Sequence, residues 1–349
     1  MLDEVGRIVE DAAASGGVPG AVAVVGRGPA TLGSWAAGQA DTTPGAVRPM
    51  RADTVFDLAS LTKVVSTTTV TLSLAAGGRV GLDDPVRKYL PVTWPVTIWH
   101  LLTHTSGLPA SVKFFEWCAE RGELLRDLYA TDLEASPGTR VSYSDLGFMA
   151  LGEIVARVSD SPLDSVFRDL VARPLDLADT GYLPAGCPAP HPAGGFAATE
   201  RRDDGTPWTG IVHDENARVL GGVAGHAGLF AVPSDLARFA AWWVSSADDG
   251  PVPAALRREA QTCQTLALNG RRGLGWTCLG DRYDILGPAW PSSAVSHTGF
   301  TGTSLALDSA SGVWVVLLTN GVHFGRGRPA VKNLRLAVHA AVASALRTV

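Results

Sequence analysis

The sequence predicts a mixed α/β (α+β) protein in which one β-sheet, built from strands near both ends of the chain, is interrupted by an inserted helical region. Three observations lead there. Apolar runs bounded by turn residues lie near the N-terminus, "GAVAVVGRG" (20–28) and "TLGSWAAG" (31–38), and near the C-terminus within "GTSLALDSASGVWVVLLTNG" (302–321). Helically spaced segments flank them at both chain ends. Between about 80 and 270, short helical stretches alternate with Pro- and Gly-rich connections.

Taken in order, Leu2, Val5, Ile8, Val9 and Ala12 share one helical face, and Gly16-Gly17 ends that helix. The two strands that follow are joined by a Gly/Pro turn. Residues 57–76 predict a helix closed by Gly77-Gly78. Its Thr and Val content gives it little intrinsic propensity, so burial must stabilise it. "PAGCPAPHPAGGF" (184–196) is the plainest loop, and the C-terminal strands turn at Asp308–Gly312. "AVKNLRLAVHAAVASAL" (330–346) closes the chain as an amphipathic helix. No 20- to 50-residue repeat and no freeing linker occurs. Residues 1–78 with 270–349 are expected to form the sheet region and 79–269 a mainly helical and loop insertion, together one catalytic unit.

A chain of 349 residues that is 46% hydrophobic and 18% charged can bury a large core. A net charge of −5 offers no basic face to nucleic acid. The longest apolar runs fall far short of the ~18 residues of a membrane helix. The N-terminus carries Asp3 and Glu4 and no apolar h-region, which predicts a cytoplasmic location. Cys118, Cys187, Cys263 and Cys278 are widely spaced without a CxxC pair, which predicts reduced thiols and no metal site.

Chemistry enters at "FDLASLTK" (56–63). Ser60 precedes Lys63 by three residues, and of the four lysines only Lys63 has such a serine. Positions three apart share a helix face, so the Lys63 amine can be aimed at the Ser60 hydroxyl, which needs a proton acceptor to become a nucleophile. Lys63 acts as a base only when neutral, which burial favours, and no charge other than Arg79 accompanies it between Leu58 and Leu82. Alone, the pair equally describes a capping serine beside a solvated lysine. Two further elements follow. "RVSYSDLGFMALGEIV" (140–155) places Tyr143 before a helix, where a phenol can relay protons, although a core tyrosine with Asp145 as the N-cap fits as well. In "SHTGFTGTSLAL" (296–307), His297-Thr298-Gly299 leads into a strand against which a substrate can lie.

In this order the three elements resemble the S-x-x-K, Y-x-N and K/H-T-G set of the serine β-lactamase and penicillin-binding superfamily, in its class C β-lactamase, D-peptidase and esterase branch. "TIWHLLTHTSGLP" (97–109), "DLARF" (235–239) and "GLGW" (273–276) are similar to it too, and "VHDENARVLGGVAGHAGLF" (212–230) is similar to the penicillin-binding-protein-4-like members. The resemblance spans essentially the whole chain. It implies an antiparallel sheet and a helical domain with a cleft between them. It implies Ser60 as acylated nucleophile, Lys63 as its base and Tyr143 as proton relay. The backbone N–H groups of Ser60 and Phe300 would form the oxyanion hole, with Asp145, His297, Thr298, Gly299 and His226 at the substrate.

Two positions depart from that pattern. Asp145 stands in place of an asparagine, and an anion beside Lys63 favours the ammonium, which leaves the resting base open between Lys63 and Tyr143. His297 replaces a lysine and offers less positive charge, an argument against efficient β-lactam hydrolysis more than against acyl transfer. His100 and His104 lack the Glu of a zinc helix; His213, Asp214 and His226 are assigned to a loop beside the cleft, not to a metal; and no G-x-S-x-G elbow occurs. The expected function is a cofactor-free serine hydrolase or acyltransferase, a cytoplasmic esterase or transacylase, acting on a small-molecule ester or amide with an acyl acceptor. The alternatives are a D-peptidase or β-lactamase-like amidase, and a catalytically silent binder of an acyl ligand.

Overall fold

The computed structural model describes residues 2–185 and 194–346. Among the described residues there are ten strands: β1 (Gly20–Arg27), β2 (Ala30–Asp41), β3 (Arg48–Pro49), β4 (Phe56–Asp57), β5 (Gly181–Tyr182), β6 (Leu229–Ala231), β7 (Thr277–Cys278), β8 (Val295–Thr298), β9 (Ser304–Asp308) and β10 (Val313–Thr319). Seven form one sheet in the order β3-β2-β1-β10-β9-β8-β7, every pair antiparallel. The first and last parts of the chain meet at β1 and β10, where Ala21 opposes Thr319 and Arg27 opposes Val313. A small sheet, β4-β6-β5, lies within the rest.

β1 and β10 read as unbroken apolar runs because both faces of the sheet are covered. Ala21, Ala23 and Val25 pack with Val315 and Leu317 against Val5 and Val9 of the helix Asp3–Ala14 and Val338 and Val342 of the helix Pro329–Leu346. Val22, Val24, Trp314 and Val316 face the other way, into a larger core with Leu236, Phe239 and Trp243 of the helix Pro233–Val244. Asp308 accepts from the backbone N–H of Ala310 and Ser311 at 3.4 and 3.1 Å, and Gly312 adopts φ +73°, which together build the β9–β10 turn.

Three expectations need correction. The helix expected over 57–76 begins later and is not uniform. Asp57 is strand; its carboxylate takes the N–H of Ala59 (2.8 Å) and of His213 (2.7 Å), so helical bonding starts only at Ala59. A 3-10 turn (Ala59–Leu61), a π-helical turn (Lys63–Thr68) and an α-helix (Thr69–Ala76) follow, with Thr69 and Thr71 hydroxyls bonding back to the carbonyls of Val64 and Thr67. His297 and Thr298 end a strand instead of leading into one: they pair with Leu305 and Ser304 across the turn 299–303. Ser144, not Asp145, caps the helix Asp145–Ser159, its hydroxyl accepting from Gly147 N–H at 3.2 Å. Cys187 and residues 186–193 of the expected loop lie outside the described residues, within which Cys118, Cys263 and Cys278 are free thiols. No helix among the described residues is long and apolar enough to cross a membrane.

Candidate active site

Ser60 sits in the first helical turn after β4, and the residue before it, Ala59, is held at φ +46°. A non-glycine residue in this left-handed region costs on the order of 1 kcal/mol or more, offset here by the Asp57 carboxylate on its N–H. Three residues on, the fully buried Lys63 directs Nζ to Ser60 Oγ (3.0 Å), to the His226 carbonyl oxygen (3.0 Å) and to Asp145 Oδ1 (2.7 Å). The Tyr143 phenol stands beside Lys63 and Ser60, both of which favour its ionised form, and Lys63 Nζ lies 5.0 Å from the centre of its ring. The sequence-predicted Ser60, Lys63 and Tyr143 therefore converge.

Charge state follows from these neighbours. Burial pulls the Lys63 ammonium down, yet the Asp145 carboxylate and Tyr143 outweigh it, and the net shift is upward. Burial pushes the Tyr143 phenol up, and Lys63 only partly offsets it. The resting cluster is an ammonium paired with a carboxylate beside a neutral phenol. Burial, with Lys63 and Arg272 nearby, holds His297 well below its ordinary value, hence neutral.

The second wall is β8 with the turn after it. Ser60, Tyr143, His297, Thr298, Gly299 and Phe300 line a common cleft of about 550 Å³. Gly299 is required there: a Cβ would lie 2.1 Å from Thr303 Oγ1 and 2.4 Å from Leu58 O. Among the described residues, neither the Ser60 nor the Phe300 backbone N–H has a protein acceptor. Donors left free in a cleft can meet an oxyanion.

His226 is placed differently from expectation. Its side chain is buried, with Nε2 2.8 Å from Asp214 Oδ1, and it does not line the cleft; its carbonyl instead holds Lys63. Asp145 also contacts Lys63 and is not on the cleft lining. His100 Nδ1 lies 3.1 Å from Thr97 N, capping its own helix, whereas His104 accepts from Ser144 N–H (3.0 Å) through Nδ1 and from Ser142 N–H (2.8 Å) through its carbonyl. His104 thereby brackets Tyr143, against whose ring its own packs tilted at 35°, with centroids 4.6 Å apart. Sequence reasoning missed this, and it missed Arg272, Tyr283 and Arg335 on the cleft wall. Arg272 is buried against Asp281 (3.0 Å) with its guanidinium 5.8 Å from the Tyr143 ring centre.

The Beta-lactamase family profile matches residues 5–340. An esterase, EstB of Burkholderia gladioli, is 32% identical over 92% of this chain and 91% of its own. An N-acetylmuramyl-L-alanine amidase of Bacillus subtilis (strain 168) is 31% identical over 92% of this chain and 81% of its own. In fold, the chain is similar to EstCE1, described as a hydrolase with promiscuous acyltransferase activity, at a TM-score of 0.77, 23% identity and coverage of 97% and 98% of the two chains. The chain belongs to the Beta-lactamase family, as an enzyme of the serine hydrolase and acyltransferase class.

Proposed function

We propose that this protein is an esterase or transacylase that works through an acyl-enzyme on Ser60, with a small-molecule ester as acyl donor and water, an alcohol or an amine as acceptor. The observation that carries the reading is the buried Lys63 ammonium 3.0 Å from Ser60 Oγ and 5.0 Å from the centre of the Tyr143 ring, with Ser60 and Tyr143 on one cleft. Because Lys63 rests charged, the proton path runs through Tyr143. As Ser60 Oγ bonds to the acyl carbon, its proton passes to the Tyr143 oxygen, while the Tyr143 proton passes to the departing alkoxide. Lys63 stays an ammonium and stabilises the negative charge that develops on both oxygens. The Ser60 and Phe300 N–H groups receive the tetrahedral oxyanion, and His297, Thr298 and Gly299 form the edge along which the acyl group lies. Asp145 holds Lys63 charged. The acceptor then enters where the alkoxide left: its oxygen or nitrogen bonds to the acyl carbon, its proton passes to the Tyr143 oxygen, and as the acyl–Oγ bond breaks the Tyr143 proton returns to Ser60 Oγ.

The EstB relative, matched over nearly its whole length, supports ester chemistry. The Bacillus subtilis amidase relative favours a second reading, cleavage of a peptidoglycan-type amide or D-peptide. Free thiols at Cys118, Cys263 and Cys278 suit a reducing compartment, and a cytoplasmic location is part of the leading proposal, tested by cell fractionation. A panel of p-nitrophenyl esters, D-Ala-D-Ala peptides and a chromogenic cephalosporin, run with the wild type and Ser60→Ala, separates the readings. Ser60-dependent turnover is expected to be fastest on the esters. Turnover only of the D-peptides would favour the second reading, and no turnover with no covalent adduct would favour a silent acyl-ligand binder.

A further inference from the structure

The turn between β8 and β9 is held from two sides. Thr301 Oγ1 donates to the Asp57 carbonyl (2.8 Å) and Thr303 Oγ1 to the Leu58 carbonyl (3.0 Å), tying the turn to the segment just before Ser60. From the C-terminal helix, Arg335 Nη2 donates to the carbonyl oxygens of Gly299 (2.7 Å) and Thr303 (2.8 Å). The Gly299 carbonyl and the Phe300 N–H are opposite ends of one peptide unit. A cation bonded to the oxygen draws electron density away from the nitrogen, which strengthens the N–H as a donor and fixes its direction.

Arg335 differs from two other arginines of the cleft wall: Arg272 is paired with Asp281, and Arg326 with Glu200 and Glu215. Arg328, also on the wall, bonds the Gly16 carbonyl away from the turn. Among the described residues no carboxylate pairs with Arg335, and burial alone lowers its guanidinium, to about 10, so it stays charged at neutral pH. A half-buried cation without a counter-ion carries a desolvation cost, and substitution would be expected to remove it unless its field were used. Its field here falls on two carbonyls of the turn that carries Phe300.

We propose that Arg335 is a positioning residue for acyl transfer: by bonding the Gly299 carbonyl it orients and polarises the Gly299–Phe300 peptide, so that the Phe300 N–H stabilises the tetrahedral oxyanion. The proposal rests on the reading above that this N–H is an oxyanion donor. Its rival is direct binding of a substrate anion, since Arg335 also lines the cleft.

Arg335→Met and Arg335→Lys, checked for folding by thermal melting, are assayed on a neutral p-nitrophenyl ester and on an ester of matched size bearing a carboxylate. A neutral alkyl boronic acid, which forms a tetrahedral adduct on the serine, is titrated in parallel. For Arg335→Met, kcat should fall about 30-fold on both esters, short of the ~10² to 10³ lost with a whole oxyanion donor. KM should change little, boronate affinity should fall in step with kcat/KM, and Arg335→Lys should recover part of the loss. Should Arg335→Met fail to fold, Arg335→Lys carries the test, with a smaller fall of the same pattern. A loss confined to the carboxylate ester, a rise in KM at constant kcat, or no loss would overturn the proposal. Labelling of wild-type Ser60 by a fluorophosphonate keeps the two claims apart: without an adduct the acyl-enzyme reading itself falls, whereas an adduct with undiminished Arg335 variants removes only this proposal.

Discussion

Replacing Asp145 by asparagine removes one charge from the resting cluster and leaves its shape nearly unchanged. At 2.7 Å from Lys63 Nζ, the carboxylate interacts with the ammonium by on the order of 6 kcal/mol at an effective dielectric near 20. Its side chain is 25% exposed, so solvent screens part of this. If only a third survives, the ammonium-to-amine ratio at Lys63 falls by about 2 kcal/mol, or roughly 30-fold. In the wild type Lys63 is held above its ordinary value and contributes no ionisation between pH 5 and 9. In Asp145→Asn the burial that pulls the amine down is no longer outweighed to the same extent. A plot of log kcat/KM against pH for a p-nitrophenyl ester should then gain a limb absent from the wild type, with activity falling as pH rises because the relay uses the ammonium. A superimposable profile would refute the charge pairing. A variant whose activity instead rose with pH would make Lys63 the base.

Two other substitutions probe the frame around the site. Gly299→Ala places a methyl 2.4 Å from the Leu58 carbonyl and must displace the turn that bears Phe300; kcat should drop about 10²-fold with little change in Tm, and near-wild-type activity would contradict the placement of that turn. His339 is fully buried, neither ring nitrogen has a partner among the described residues, and burial, with Arg335 nearby, lowers it to about 3 from an ordinary 6.5. Between those values the unfolded chain binds a proton that the folded one excludes, so stability falls as pH falls, by about 1.4 kcal/mol per pH unit. His339→Leu should therefore gain about 2 kcal/mol relative to wild type on going from pH 6.5 to 5, read by urea denaturation at both values; equal losses in the two proteins would refute this.

What could be read from the sequence was local or ordinal. Ser60 and Lys63 lie one turn apart on any helix, and Tyr143 and His297 follow them in a recognisable order. The strands at 20–38 and 304–319 carry their own apolar and turn signals, so their merger into one sheet was accessible. What escaped depends on tertiary contact. The π-helical turn at Lys63–Thr68 has no spacing signature of its own. The carbonyl of His226, not its ring, meets Lys63, and a backbone contact leaves no mark on residue type. Arg335 reaches the turn from a helix whose amphipathic pattern only marks it as polar-facing. His104 was legible as part of "HLLTH", and its unusual φ of +56° and its two bonds around Tyr143 were not.

The central claim is that Ser60 becomes acylated. Rapid-quench mass spectrometry during turnover of p-nitrophenyl butyrate measures this directly. The account predicts a transient butyryl mass on the peptide containing Ser60, formed in a burst with nitrophenol release and absent from Ser60→Ala. Sustained ester turnover with no acyl mass on Ser60 at any time point would contradict it.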